Sequence, residues 1–179
     1  SILFEFDSKG ELIFIPDTPG QSITALKGLE HLYKQNINES VVIHNIDTIL
    51  MNRDFSLFKD KLKKYDCVVD TFYSNNKSYS YILSEGENVV DIIEKRKISD
   101  EASSGCYGFS NITNSIKYLN KSENYYISDG IKFMIEDNKK VTFIKSDKED
   151  ETIVLGTPEE YINSMAYFDL INRANNENT

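Results

Sequence analysis

Apolar residues recur along this chain at two spacings, and the alternation between them predicts the elements. Ile23, Leu26, Leu29, Leu32 and Tyr33 repeat every three or four positions, the spacing of a helix with one buried face. Val41, Val42 and Ile43 run together before His44, Asn45, Ile46 and Asp47, which reads as a buried strand of a parallel sheet reaching its polar rim. Ahead of these, residues 2–6 and 12–15 are β-rich runs around the turn 7–10 and read as a hairpin. Residues 55–65 predict a second helix, with Lys59, Lys61, Lys63 and Lys64 on its wetter sides. Strands follow at 67–73, 79–83, 89–93 and 103–109, the middle two joined as a hairpin through Gly86. Helices are expected over 112–119 and 127–135, the second capped by Ser128 or Asp129, and a strand over 141–145. Thr157, Pro158 and Glu160 form a capping box that starts a last helix, and 172–179 reads as a frayed polar tail. The β-loop-α-β rhythm predicts an α/β chain with a Rossmann-like, doubly wound, mostly parallel sheet and one antiparallel hairpin.

Composition narrows the partners. With 179 residues, 40% of them hydrophobic, the chain suits one domain. A net charge of −9, with no compensating Lys/Arg cluster, argues against nucleic acid or an anionic membrane as a ligand. Cys67 and Cys106 lie in apolar stretches without metal-ligand spacing, so both read as core residues in a reducing compartment. No apolar run is long enough to span a bilayer and no leader pattern opens the chain, which sets a cytoplasmic expectation.

Candidate chemistry gathers where strands end and helices begin. Asp47, at the rim of the Val41 strand, can hold a divalent cation against phosphates or, alternatively, cap the turn that follows. Gly20 and Gln21 open the first helix, where outward-pointing N–H groups favour an anion and the glycine permits close approach; a plain junction fits the same residues. Glu94 and Lys95 adjoin at a strand end, a carboxylate for hydroxyls and an ammonium for phosphate, which share a crevice only if the strand stops or twists there. Ser103, Ser104 and Gly105 leave room for a ligand ring, and a purely structural role for these small residues fits the same strand.

Taken in order, four segments resemble the sugar-phosphate nucleotidyltransferase family. They are Gly20 to Leu26, Val41 to Asp47, Val90 to Lys95 followed by Gly105-Cys106-Tyr107-Gly108-Phe109, and Leu155-Gly156-Thr157-Pro158-Glu159-Glu160. The resemblance implies transfer of a nucleoside monophosphate from a nucleoside triphosphate to a sugar phosphate or similar small phosphate, with pyrophosphate released, in surface polysaccharide or capsule synthesis. It implies Asp47 on Mg2+ and in catalysis, Lys95 on the acceptor phosphate, Gly20 and Gln21 near the base, Glu94 at the sugar hydroxyls, and Gly105 and Tyr107 among the substrate-binding residues. It leaves room for a homo-oligomer. Two departures stand out: nothing before Gly20 matches the family's glycine-rich triphosphate loop, so an N-terminal segment is expected to be missing, and Val154 stands where many relatives carry a second metal-binding aspartate. The competing expectations are a non-catalytic domain that binds a nucleotide sugar or a partner, and a glycosyltransferase using a nucleotide sugar.

Overall fold

A computed structural model describes residues 10–146, 151–165 and 168 of the chain. Helix α1 (Gln21–Lys34) leads into β1 (Val41–His44) and β2 (Thr48–Leu50), and α2 (Phe55–Leu62) into β3 (Cys67–Tyr73). The hairpin β4 (Tyr81–Glu85) and β5 (Asn88–Ile93) precedes the nine-residue β6 (Glu101–Phe109). Then come α3 (Ile112–Leu119), α4 (Ile127–Glu136), β7 (Val141–Lys145), β8 (Thr152–Val154) and a helix that starts at 158.

The main sheet has the order β1-β6-β3-β7-β5-β4, and β6 is its organising strand. One edge of β6 pairs with β3 along its length. The other takes β1, from Val41↔Phe109 to His44↔Cys106, and touches β4 at Tyr81↔Ala102. Since β5 also meets β7 at Asn88↔Thr142, the pairings of β6, β3, β7, β5 and β4 close into a ring.

This corrects the expected doubly wound, mostly parallel sheet: among the described strands only β3 and β7 run parallel. The misleading signal was the Val41-Val42-Ile43 run. Val41 and Ile43 pack on the core, but Val42 is 41% exposed, so β1 alternates as a half-buried strand and not as a strand buried on both faces. Residues 12–15 form no strand either; Phe14 is 93% exposed, and its neighbours pair with no described strand. Residues 2–6 and 172–179 lie outside the described residues.

The period-two pattern of β3 sorts the core. Cys67 and Val69 face α1, α3 and α4 through Leu26, Leu29, Tyr118, Ile131 and Met134, while Val68 faces Phe58 of α2 with Cys106 and Ile144. Gly108 permits that second layer, because a side-chain carbon there would stand 2.8 Å from the Phe58 ring. Asp54 and Asn111 cap α2 and α3 by accepting from Ser56 and Asn114 N–H groups. Helix α4 starts without a side-chain cap: Ser128 donates instead to Glu94, and Asp129 accepts from the Ser122 hydroxyl. Among the described residues no helix is long and apolar enough to cross a membrane.

Candidate active site

Past β1 the chain turns at Asn45, and Asp47 stands where β2 begins. The short ribbon β2–β8 holds it there, pairing Thr48 with Val154, and the Leu155 N–H donates to the Asp47 carbonyl at 2.7 Å. Asp47 therefore faces the loop that carries Gly156. A side-chain carbon at Gly156 would stand 2.9 Å from Asp47 Oδ2 and 3.6 Å from Glu160 Oε2, so the glycine keeps open the space beside two carboxylates. The turn-capping alternative for Asp47 finds little support: its carboxylate accepts from the Thr48 hydroxyl at a long 3.5 Å, and among the described residues no backbone N–H bonds to it.

Around that point lies a cleft of about 190 Å³. Gln21 enters it from α1, Asn45 and Asp47 from the β1–β2 turn, Tyr79, Ser80 and Glu94 from the hairpin, Ser103 to Gly105 and Tyr107 from β6, and Gly156 and Glu160 from the C-terminal loop and helix. Among the described residues Glu94 is bonded through one oxygen: its Oε2 accepts from Ser80 at 2.5 Å and Ser128 at 2.7 Å. Glu160 takes the Tyr79 hydroxyl at 2.7 Å on one oxygen and the Thr157 hydroxyl at 3.0 Å on the other. Burial together with the Glu160 carboxylate pushes the Tyr79 phenol well above its ordinary range, and burial pushes Tyr107 up to about 12. Both phenols are therefore neutral hydroxyls. Gly105 adopts φ +83°, and its missing side chain makes room for the Asn45 side-chain amide, while the Asn45 backbone N–H donates to the Gly105 carbonyl at 3.0 Å.

The sequence-derived candidates divide into two groups. Asp47, Gln21, Glu94, Gly105 and Tyr107 share the cleft, while Gly20 lines only the adjoining open trough of about 620 Å³, which Gln21 and Asp47 also border. Gly20 is locked against Tyr125, whose carbonyl accepts the Ser22 N–H at 2.9 Å. Lys95 lines neither space: its backbone turns left-handed at φ 53°, and its ammonium donates to the Tyr126 hydroxyl at 2.6 Å and lies 4.8 Å from that ring's centre. That hydrogen bond, more than any other contact, holds the Lys95 pKa above its ordinary value.

Asn45, Tyr79, Ser80, Ser128 and Glu160 were not singled out as site residues. Ser128 and Glu160 carry helix-start signals in the sequence, and those signals hide their second contacts in the cleft. Charge gives the cleft its character. Asp47, Glu94 and Glu160 line it, and no Lys, Arg or His is among its described lining residues. Among the described residues no group of three or more His, Cys, Asp or Glu side chains gathers as a metal site.

The chain matches no protein-family model and no curated protein. Its fold is similar to solved structures. One is the nucleoside-diphosphate-sugar pyrophosphorylase from Vibrio cholerae RC9, with a TM-score of 0.73 and 25% identity over 84% of this chain and 66% of that one. Another, described as a glucose-1-phosphate thymidylyltransferase from Bacillus anthracis in complex with sucrose, gives a TM-score of 0.69 and 13% identity over 86% of this chain and 63% of that one. The fold is thus a mixed α/β fold like that of sugar-phosphate nucleotidyltransferases, and the chain spans about two thirds of the length of these neighbours.

Proposed function

We propose that this chain belongs to a nucleotidyltransferase that joins a nucleoside monophosphate, taken from a nucleoside triphosphate, to a sugar phosphate or similar small phosphate. The observation that carries the reading is that Asp47, Gln21, Glu94, Gly105 and Tyr107 converge on one cleft in a fold shared with a nucleoside-diphosphate-sugar pyrophosphorylase. In the reaction an acceptor phosphate oxygen attacks the α-phosphorus, the bond from that phosphorus to the bridging oxygen breaks, and pyrophosphate leaves with the electron pair. The protein's task is alignment and charge neutralisation.

The residues fit a magnesium ion. Asp47 and Glu160 flank the space that Gly156 keeps open, and hard cations of this kind take one or two carboxylates plus phosphates and water. When bound, the ion would neutralise charge developing on the phosphates. Glu94 Oε1 accepts an acceptor hydroxyl, its partner oxygen being held by Ser80 and Ser128. Gln21 and Asn45, which line both the cleft and the trough, border the side from which the nucleotide approaches. Lys95, one residue beyond Glu94, neutralises the acceptor phosphate once it leaves Tyr126. Synthesis of an activated sugar for surface polysaccharide, in the cytoplasm where nucleoside triphosphates are made, is the role we assign.

Pyrophosphate release from each nucleoside triphosphate with a panel of sugar phosphates and Mg2+ tests the proposal. Release that depends on both substrates supports it; no release from any pair overturns it for this chain. A second reading, a non-catalytic domain that binds a nucleotide sugar, is favoured by the lack of basic residues among the described residues lining the cleft. Binding of a nucleotide sugar with no release would select it.

A further inference from the structure

The geometry points to Arg53 as a positioning residue: it pins the far end of the β2–β8 ribbon to the main sheet and so sets where Asp47 and Gly156 stand at the near end. The Arg53 side chain is only 4% exposed, although it follows a strand end and precedes an exposed helix cap. Its Nε donates to Asp70 Oδ2 of β3 at 2.9 Å. Nη1 donates to Ser146 Oγ just past β7 at 3.1 Å and to the Met51 carbonyl at 3.2 Å, and Nη2 to Thr152 Oγ1 of β8 at 2.6 Å. One planar fork thus ties both ends of the ribbon's closed side to two strands of the sheet.

The ribbon's other anchors are Leu50, packed against the Phe58 and Ile144 cluster, Val154, packed against the Phe72 and Tyr81 cluster, and the Thr48 carbonyl, 2.9 Å from His44 Nε2. Its strands are three residues each, and a two-stranded pair of that length is marginal alone. At one end Met51 N–H donates to Glu151 O beside the Arg53 fork; at the other Leu155 N–H donates to Asp47 O beside the cleft. A tilt at the first end therefore moves the second. Stability does not require this arrangement, since a well-packed apolar replacement of a buried ion pair is often neutral or stabilising. Among the described residues the second Asp70 oxygen, Oδ1, has no hydrogen bond of normal geometry, which burdens the pair as a device for stability; ribbon placement is the use we assign it. The consequence for catalysis rests on the nucleotidyl-transfer reading; the placement itself does not.

The test is the double substitution Arg53→Met/Asp70→Leu, which removes both charges of the Arg53–Asp70 pair while Glu151 Oε2 loses its 3.6 Å ion pair with Arg53 Nη1, with Arg53→Lys as the milder variant. Backbone hydrogen exchange is read at Met51 and Leu155 in the ribbon and at α3 and α4 as reference. At least tenfold faster exchange at both ribbon amides, with α3 and α4 unchanged, is the expected result in the double variant, and a smaller increase in Arg53→Lys. With a pyrophosphate assay, the Mg2+ concentration for half-maximal rate should rise at least tenfold while KM for the acceptor changes less than twofold. Unchanged ribbon exchange in both variants overturns the inference, as does a KM effect equal to the Mg2+ effect. If the unsubstituted chain releases no pyrophosphate, the functional reading falls and the exchange measurement still decides the positioning role.

Discussion

At the scale of single residues, a carboxylate already spent on the backbone has less to offer a ligand than one that is not. Asp47 is exposed, and its carboxylate has only a 3.5 Å contact with Thr48, whereas Asp54 spends its carboxylate on a helix cap. Replacing an exposed residue with so few partners changes stability by about 0.5 kcal/mol or less. Removing a carboxylate that holds a catalytic cation forfeits several kcal/mol of transition-state stabilisation, about 100-fold or more in rate. Asp47→Asn should accordingly lower kcat by about 100-fold or more with the urea midpoint almost unmoved. Parallel loss of both would make Asp47 a structural acid. The place of this residue at the cleft was legible in the sequence because an acid at the end of an apolar run is conspicuous. Glu160 was not, since an acid three residues after Thr157 is explained in full by a capping box, and Thr157 Oγ1 does accept the Glu160 N–H at 3.2 Å.

At the scale of elements, periodicity located most helices and strands to within a residue or two, because one buried face per element leaves a clear spacing. Strands β2 and β8 escaped: three residues each carry too little pattern, and their pairing joins segments about a hundred residues apart. Strand β6 shows what local sequence can and cannot say. Gly105 reads as room for a ligand, but the space is taken by Asn45, with a positive φ that an L side chain tolerates poorly. Gly105→Ala should cost about 1–3 kcal/mol from the backbone and more from the displaced Asn45. Gly86→Ala, also at positive φ but in open space, should cost the backbone part alone, so the difference between their urea midpoints isolates the clash. On β3, burial raises the Asp70 pKa more than Arg53 and Ser104 lower it. The folded state then holds this proton more tightly than the unfolded chain does, so the Asp70 contribution falls as pH rises from the ordinary 3.8 through the raised value. The stability advantage of the unsubstituted protein over Asp70→Asn should therefore shrink as pH is raised through that window, measured by urea unfolding at each pH. A gap that widens would mean that the ion pair outweighs burial.

At the scale of the whole molecule, a net charge of −9 surrounds a cleft whose described lining holds three carboxylates and no basic side chain. Composition alone signalled that phosphates would need a local cation; the resemblance put Lys95 at the acceptor phosphate, and the structure has its ammonium on the Tyr126 hydroxyl, outside the cleft's described lining. Two like charges at 4 Å repel by about 4 kcal/mol at an effective dielectric constant of 20, less where water enters, so a triphosphate beside Asp47 and Glu160 meets a barrier that a divalent cation must remove. Without one, nucleoside triphosphate affinity measured by calorimetry should be weaker by about tenfold or more. The sign of the salt effect separates this from a merely general requirement for Mg2+. In chelator, added NaCl screens the repulsion and should strengthen the residual binding; with saturating Mg2+, the same salt screens an attraction and should weaken it. Binding that weakens with salt in both conditions would mean that a basic group reaches the phosphates in solution, with Lys95 the residue to substitute first.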